Sequence, residues 1–183
     1  MTLATDIYIT GTGVTMREVY NKVNDLLGIP DTRLVIEKPG SIRNRIGQGF
    51  PAIVDVSAAV DGSLVTPEHE PYCAEEAEEA GEPCTYHRHI ETHHVHVDLD
   101  TAYGYRNDRG WDCSRLHASV ILNLAGWLVE RDCTVRWTNE YAGTIHDATD
   151  QAAFERFIGG GDAAAEWFIN DVLPAIAAGV SRG

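Results

Sequence analysis

Residues 51–61, with the sequence PAIVDVSAAVD, alternate with a period of two between small apolar side chains and a mixed set that includes two aspartates and a serine. Such alternation is typical of a β-strand that buries one face and leaves the other in contact with water. A second alternating stretch, HHVHVDLD at residues 93–100, places valine and leucine on one face and histidine and aspartate on the other. We therefore predict that the two stretches pair as an antiparallel hairpin.

The segment before this hairpin predicts a strand, a helix and a second strand. Residues 6–10 alternate around two isoleucines, and Thr15 stands three residues before Glu18. That spacing is a capping box, in which each side chain accepts a hydrogen bond from the other residue's backbone amide, so a helix should begin there. The run RLVIEK at residues 33–38, followed by a Pro-Gly pair, predicts the next strand.

The segment after the hairpin predicts the most buried helix of the protein. Asp112 is suited to cap a helix near residues 113–130, in which apolar side chains recur at helical spacing. This apolar stripe consists of Leu116, Val120, Leu124, Trp127 and Leu128. Strands are predicted at 133–138 and 141–146, and two helices follow, the last of them kinked near Pro174.

The resulting element order is β-α-β-β, then β-α-β-β, then two helices. This order predicts an α+β fold, with a mostly antiparallel sheet of about six strands and helices packed on one face. The last helix is expected to bury Trp167, Phe168, Val172 and Ile176. The 183 residues are expected to form a single domain that carries an acidic hairpin insertion at about residues 62–86.

The charge balance restricts the classes of partner. The chain has 14 basic and 28 acidic residues and a formal net charge of -14. Nucleic-acid binding depends on lysine and arginine, so the acid excess argues against a nucleic-acid partner. No apolar run reaches the roughly 18 to 20 residues that cross a bilayer, and the first ten residues lack the basic flank of a secretory signal. The sequence therefore predicts a cytoplasmic protein that does not bind membranes.

The most unusual stretch is PEHEPYCAEEAEEAGEPC at residues 67–84, which we call the acidic segment; it holds seven glutamates and no lysine or arginine. Cys73 and Cys84 lie on either side of its glutamate-rich part. A disulfide between them or a structural zinc ion would tie the segment, and two free thiols are the remaining alternative. A zinc ion would need two further ligands from the nearby histidines, which are His69, His87, His89 and His93. We expect these two ligands to be His87 and His89.

A second candidate metal site lies on the strand at residues 93–100. His94, His96 and Asp98 share one face of that strand at intervals of about 7 Å, close enough to bind one metal ion together. The simpler interpretation of the same pattern is a polar strand surface that faces solvent.

Motifs for other kinds of catalysis are not found in the sequence. The turn at residues 11–13, GTG, follows a strand and precedes a helix, but Met16 stands where a dinucleotide-binding fingerprint has its third glycine. No phosphate-binding loop and no nucleophile elbow is present. Cys113 and Cys133 fall on predicted buried faces, so they are expected to be small core residues.

These observations favour a non-enzymatic, acidic protein-binding module whose residues 68–82 engage a partner with a basic surface. Inhibitors, immunity proteins, phage host-takeover proteins and virion accessory proteins are of this type. The glutamates expected to contact the partner are Glu75, Glu76, Glu78 and Glu79. The alternative is a metal-dependent enzyme that uses the histidine and aspartate face of the strand at residues 93–100. A third hypothesis is a nucleic-acid mimic, in which carboxylates take the place of phosphates.

Overall fold

Seven antiparallel strands form one sheet in the computed structural model of the protein, which describes residues 2–29, 35–44, 52–66, 78–79, 81, 90–159 and 163–180. The strands are β1 (Thr2–Thr10), β2 (Val35–Lys38), β3 (Ser41–Asn44), β4 (Ala52–Ala58), β5 (Val95–Ala102), β6 (Thr134–Asn139) and β7 (His146–Asp147). They lie in the order β2-β3-β4-β5-β1-β6-β7, so β1, the first strand in the chain, lies inside the sheet between β5 and β6.

The helices confirm the predicted α+β class. They are α1 (Met16–Leu26), α2 (Cys113–Val129), α3 (Gln151–Ile158), α4 (Ala163–Trp167) and α5 (Leu173–Val180), and a π-helical turn at Phe168–Val172 joins the last two. Helix α1 packs on β3 and β4, α2 packs on β1, β5 and β6, and α3 and α5 pack on α2. Within the described ranges, no helix is long and apolar enough to cross a membrane.

The predicted hairpin is confirmed as the pair β4 and β5. Val54 lies opposite Leu99 and Val56 opposite Val97, and all four side chains are fully buried. This register places Val54, Val56, Val97 and Leu99 on the face that the helices cover, whereas Ile53 lies opposite Asp100 on the other face. Period-two burial of valine and leucine is therefore the interaction that fixes the register of these strands.

Both predicted helix caps are present. At α1, the Thr15 hydroxyl accepts from the Glu18 amide while the Glu18 carboxylate accepts from the Thr15 amide. At α2, the Asp112 carboxylate accepts from the Arg115 amide at 3.1 Å. Leu124 of α2 is completely buried, as the apolar stripe predicted.

The glycines before α1 are required by close packing. Gly13 lies against the turn that follows α2, and a Cβ atom at Gly13 would be 2.1 Å from the Arg131 carbonyl oxygen. Gly11 has a φ of +135° and faces Cys133 in the same turn. The GTG sequence is therefore a packing feature, in agreement with its interpretation as a turn.

The structure differs from the predicted strands at two places. At each of them an asparagine side chain forms hydrogen bonds with the backbone. Strand β3 was not predicted, since Ile42 is its one apolar residue and Asn44 occupies a buried position. The Asn44 amide donates to the Ala52 carbonyl and its oxygen accepts from the Val54 amide, both at 2.8 Å, so it satisfies backbone groups of β4. The strand predicted at 141–146 is wrong except at its last residue, because the Asn139 side chain accepts from the next amides and turns the chain.

The face of the last helix also differs from the prediction. In the π-helical turn the Leu173 amide donates to the Phe168 carbonyl, five residues earlier, so these two residues share one face. Phe168 and Leu173 are buried, whereas Trp167, which was predicted to be buried, is 55% exposed. A π-helical turn contains one more residue than an α-helical turn. The buried face of the helix is therefore rotated relative to the face that a 3.6-residue period predicts.

Candidate functional site

The face of the sheet opposite the helices carries a row of three carboxylates. Asp6 on β1 lies directly opposite Asp98 on β5, which lies directly opposite Asp55 on β4. Arg43 on β3 continues the row, and its Nε is 3.9 Å from an Asp55 carboxylate oxygen. Like charges directly opposite each other on neighbouring strands destabilise a sheet, so this aspartate row is expected to lower the stability of the fold.

His96 lies two residues before Asp98, on the same face of β5, and bonds to Asp6, the most buried aspartate of the row. The His96 Nε2 atom is 3.0 Å from an Asp6 carboxylate oxygen, and Asp6 is only 5% exposed. The Tyr8 ring stacks on the imidazole at a centroid distance of 5.1 Å and an interplanar angle of 15°. A carboxylate accepts hydrogen bonds, so an imidazole N–H at Nε2 would donate to Asp6. This pairing is the arrangement of an oriented general base.

The two preceding histidines have structural partners. His93 is buried, its ring contacts those of Tyr8 and His96, and its Nδ1 donates to the Glu91 carbonyl at 2.5 Å. Burial lowers the pKa of His93 below the usual value of a histidine. The His94 Nδ1 accepts a hydrogen bond from the Gly11 amide at 2.9 Å. The histidine-rich stretch therefore contains three side chains with three different environments.

Two sets of metal ligands were predicted from the sequence, and the structure describes only one of them. In the part of the chain that the structure describes, no three His, Cys, Asp or Glu side chains are placed to hold one metal ion, and this includes the trio His94, His96 and Asp98. His94 and His96 are engaged by Gly11 and Asp6 respectively. The predicted ligands Cys73, Cys84, His87 and His89 lie outside the described residues, so the zinc and disulfide alternatives at these positions stay predictions.

Two backbone hydrogen bonds between Val65 and His93, which we call the closed base, close the connection that contains the acidic segment. The acidic segment lies in the connection between β4 and β5, where the Val65 amide donates to the His93 carbonyl at 2.8 Å and the His93 amide donates to the Val65 carbonyl at 3.1 Å. Glu78 and Glu79 are helical and exposed, whereas Glu75 and Glu76 lie outside the described residues. The paired backbone bonds join the connection at Val65 and His93, next to the sheet.

The cysteines of the core behave as predicted. Cys113 and Cys133 are buried and carry free thiols. Burial raises the pKa of the Cys113 thiol, which disfavours the nucleophilic thiolate.

Sequence reasoning missed a buried histidine on the opposite face of the sheet. His117 of α2 is completely buried between two threonines, with Nδ1 2.8 Å from the Thr5 hydroxyl and Nε2 2.8 Å from the Thr101 hydroxyl. Burial lowers the pKa of His117 to about 3. The signal was available, because His117 stands four residues after Cys113 and seven before Leu124, at the spacing of the apolar stripe.

No protein-family model matches the chain, and neither the curated proteins nor the solved structures with which it was compared give a significant match.

Proposed function

We propose that the protein is an acidic protein-binding module that captures a partner with a basic surface through the acidic segment. The observation that supports this proposal best is the closed base at Val65 and His93, with Glu78 and Glu79 exposed on the connection between them. A connection that is closed at Val65 and His93 loses less conformational entropy on docking than a free tail of the same sequence. Its glutamates can then meet a partner from a defined place on the fold.

Electrostatics gives this segment its expected role. The formal net charge of -14 produces a long-range attraction to basic surfaces, and seven glutamates are concentrated in 18 residues of the chain. The aspartate row adds negative charge on the sheet face opposite the helices. Complementary charge of this kind acts mainly on the association rate and on the choice of partner, and less on the lifetime of the complex.

The central prediction concerns the variant in which Glu75, Glu76, Glu78 and Glu79 are all replaced by glutamine. We expect its association rate with the partner to fall about tenfold or more, because electrostatic steering contributes factors of that size. The melting temperature should stay unchanged, since Glu78 and Glu79 are exposed. The partner is first identified by affinity capture of a stoichiometric complex, and association is then measured between purified components at low and physiological ionic strength.

A matched control separates the acidic segment from net charge alone. The control variant replaces four exposed acidic residues on the helical side, Glu130, Glu155, Glu166 and Asp171, by their amides. It changes the net charge by the same amount and should retain most of the wild-type association rate. Equal losses in the two variants would show that only net charge matters, and an unchanged rate in the first variant would exclude the acidic segment as the binding element.

The nucleic-acid mimic is a special case of this proposal. In that case the basic surface of the partner is one that normally binds nucleic acid. Competition between the protein and a DNA duplex for the purified partner distinguishes the two cases, because only a mimic is displaced stoichiometrically by the duplex.

The hydrogen bond between His96 and Asp6 favours a second candidate function, an enzyme in which His96 acts as a general base. Asp6 fixes the imidazole and Tyr8 stacks on it, as required for a positioned proton acceptor. The test is a panel of ester and phosphoester substrates with wild-type protein and the His96→Gln variant. An activity that His96→Gln abolishes and the four-glutamine variant retains would replace the binding proposal with this one.

A further inference from the structure

Helices α2, α3 and α5 border a half-open pocket, which we call the cavity. It has a volume of about 300 Å³ and lies between α2, α3 and α5. Its walls are formed by Leu122, Ala125, Gly126, Val129, Ala148, Thr149, Gln151, Phe154, Leu173, Pro174 and Ala177. The cavity is open to solvent on one side, where its lining residues are exposed: Val129, Thr149, Gln151, Pro174 and Ala177.

The lining of the cavity has a distinct chemistry. Nine of its eleven residues are apolar, and the other two, Thr149 and Gln151, are uncharged. No aspartate or glutamate lines it, although the chain contains 28 acidic residues. A charged ligand would lose its hydration there without gaining a counter-charge, so the cavity selects against ions.

The irregular end of the chain forms one wall. Leu173 and Pro174 follow directly on the π-helical turn, and Pro174 brings a ring without a backbone N–H group. On the opposite wall, α2 contributes the small residues Ala125 and Gly126. π-Helical turns recur at functional sites of helical proteins. Here the turn determines which residues of α5 face α2, and together with these small residues it leaves the space open.

We propose that this cavity is a binding site for a small, neutral, mainly apolar molecule such as a medium-chain alcohol or a compact aromatic compound. Its volume is at the lower end of the range of about 300 to 1,000 Å³ found for ligand pockets. An apolar molecule that packs against this lining removes apolar surface from water, which favours binding without a specific hydrogen bond. Thr149 and Gln151 offer a hydroxyl and an amide to a single polar group of the ligand. This site is separate from the acidic segment and does not depend on it.

The experiment uses 1-octanol as the probe and a matched pair of variants on one helix. Ala177 lines the cavity and Ala175 does not, and both are exposed positions of α5. Ala177→Leu should fill the space and weaken the octanol dissociation constant by at least tenfold, whereas Ala175→Leu should keep the wild-type value. Ala125→Leu, which adds the same bulk from α2, should reproduce the effect of Ala177→Leu. Binding is measured by calorimetry on the full chain.

Methyl NMR gives a second readout that partitioning of octanol onto the surface would not produce. The methyl signals of Leu122 and Leu173 should shift with saturation at one equivalent of octanol, and those of Val35 on the distant edge strand should not. The proposal is overturned if the wild-type protein shows no saturable binding, or if Ala177→Leu and Ala125→Leu bind as tightly as wild type. It is also overturned if octanol binding induces dimerisation, because the cavity would then belong to a protein interface.

Discussion

Replacing His117 by leucine is expected to lower the free energy of unfolding at neutral pH by about 2 to 6 kcal/mol, since each of two buried hydroxyls loses its partner at a cost of about 1 to 3 kcal/mol. The hydroxyls belong to Thr5 and Thr101, which are 0% and 1% exposed and bond to the two ring nitrogens. His117→Gln should cost less, because an amide retains one donor and one acceptor. Chemical denaturation of the three proteins measures the difference.

The same histidine predicts how stability depends on pH. The pKa of His117 is lowered to about 3 in the folded protein, whereas an unfolded histidine titrates near its model value of 6.5. Between these values the unfolded chain binds the extra proton, so the stability present above pH 6.5 is lost as the pH falls towards 3. The slope is about 1.4 kcal/mol per pH unit, which gives about 3 kcal/mol between pH 6.5 and pH 4.

The pH prediction is tested by comparing wild type with His117→Gln. Carboxylates titrate in both proteins, so the difference between their unfolding free energies isolates the histidine. That difference should shift in favour of the variant as the pH falls. Parallel curves for the two proteins would mean that His117 takes up its proton without unfolding, contrary to its position between the two threonines.

Leu124→Ala is expected to lower the free energy of unfolding by about 2 to 5 kcal/mol, the range for truncating a fully buried leucine. Leu124 is 0% exposed at the centre of the apolar stripe of α2. Its loss leaves a void that the packed sheet and helices cannot close completely. Urea denaturation should show a lower midpoint with an unchanged slope.

Val129→Ala is the control for this prediction. Val129 ends the same helix and is 67% exposed, so its truncation should change the unfolding free energy by less than about 0.5 kcal/mol. A Leu124→Ala protein as stable as the Val129→Ala protein would contradict the assignment of α2 as the central buried helix.

The sequence predicted the elements in which burial alone determines the pattern. Strands β4 and β5 and helix α2 were recognised because their valines and leucines recur at the period of their own secondary structure. Strand β3 was missed because Asn44 satisfies its neighbour's backbone through a side chain, which leaves no apolar signal. The buried face of the last helix was predicted wrongly because a single π-helical turn changes the helical period, and no residue type in the sequence marks this turn.

The candidate site was predictable only in part. The sequence placed histidines and aspartates on one face of β5, and the alternating burial of that strand agrees. The partner of His96 is Asp6, which is 90 positions away in the chain, and only the register between β1 and β5 brings the two together. Pattern within one strand cannot reveal a pair formed across strands. It therefore left a polar strand surface and a shared metal ion as alternatives, and it did not predict the pair of His96 with Asp6.

The position of β1 inside the sheet affects how the chain reaches its native state. This strand contains Leu3, Ile7 and Ile9 of the core, yet its two neighbours in the sheet span Val95–Ala102 and Thr134–Asn139. During synthesis, both edges of β1 can be paired only after the chain as far as Asn139 has emerged. Folding that depends on such distant pairings is slow, and the waiting apolar strand is a target for chaperones or for aggregation.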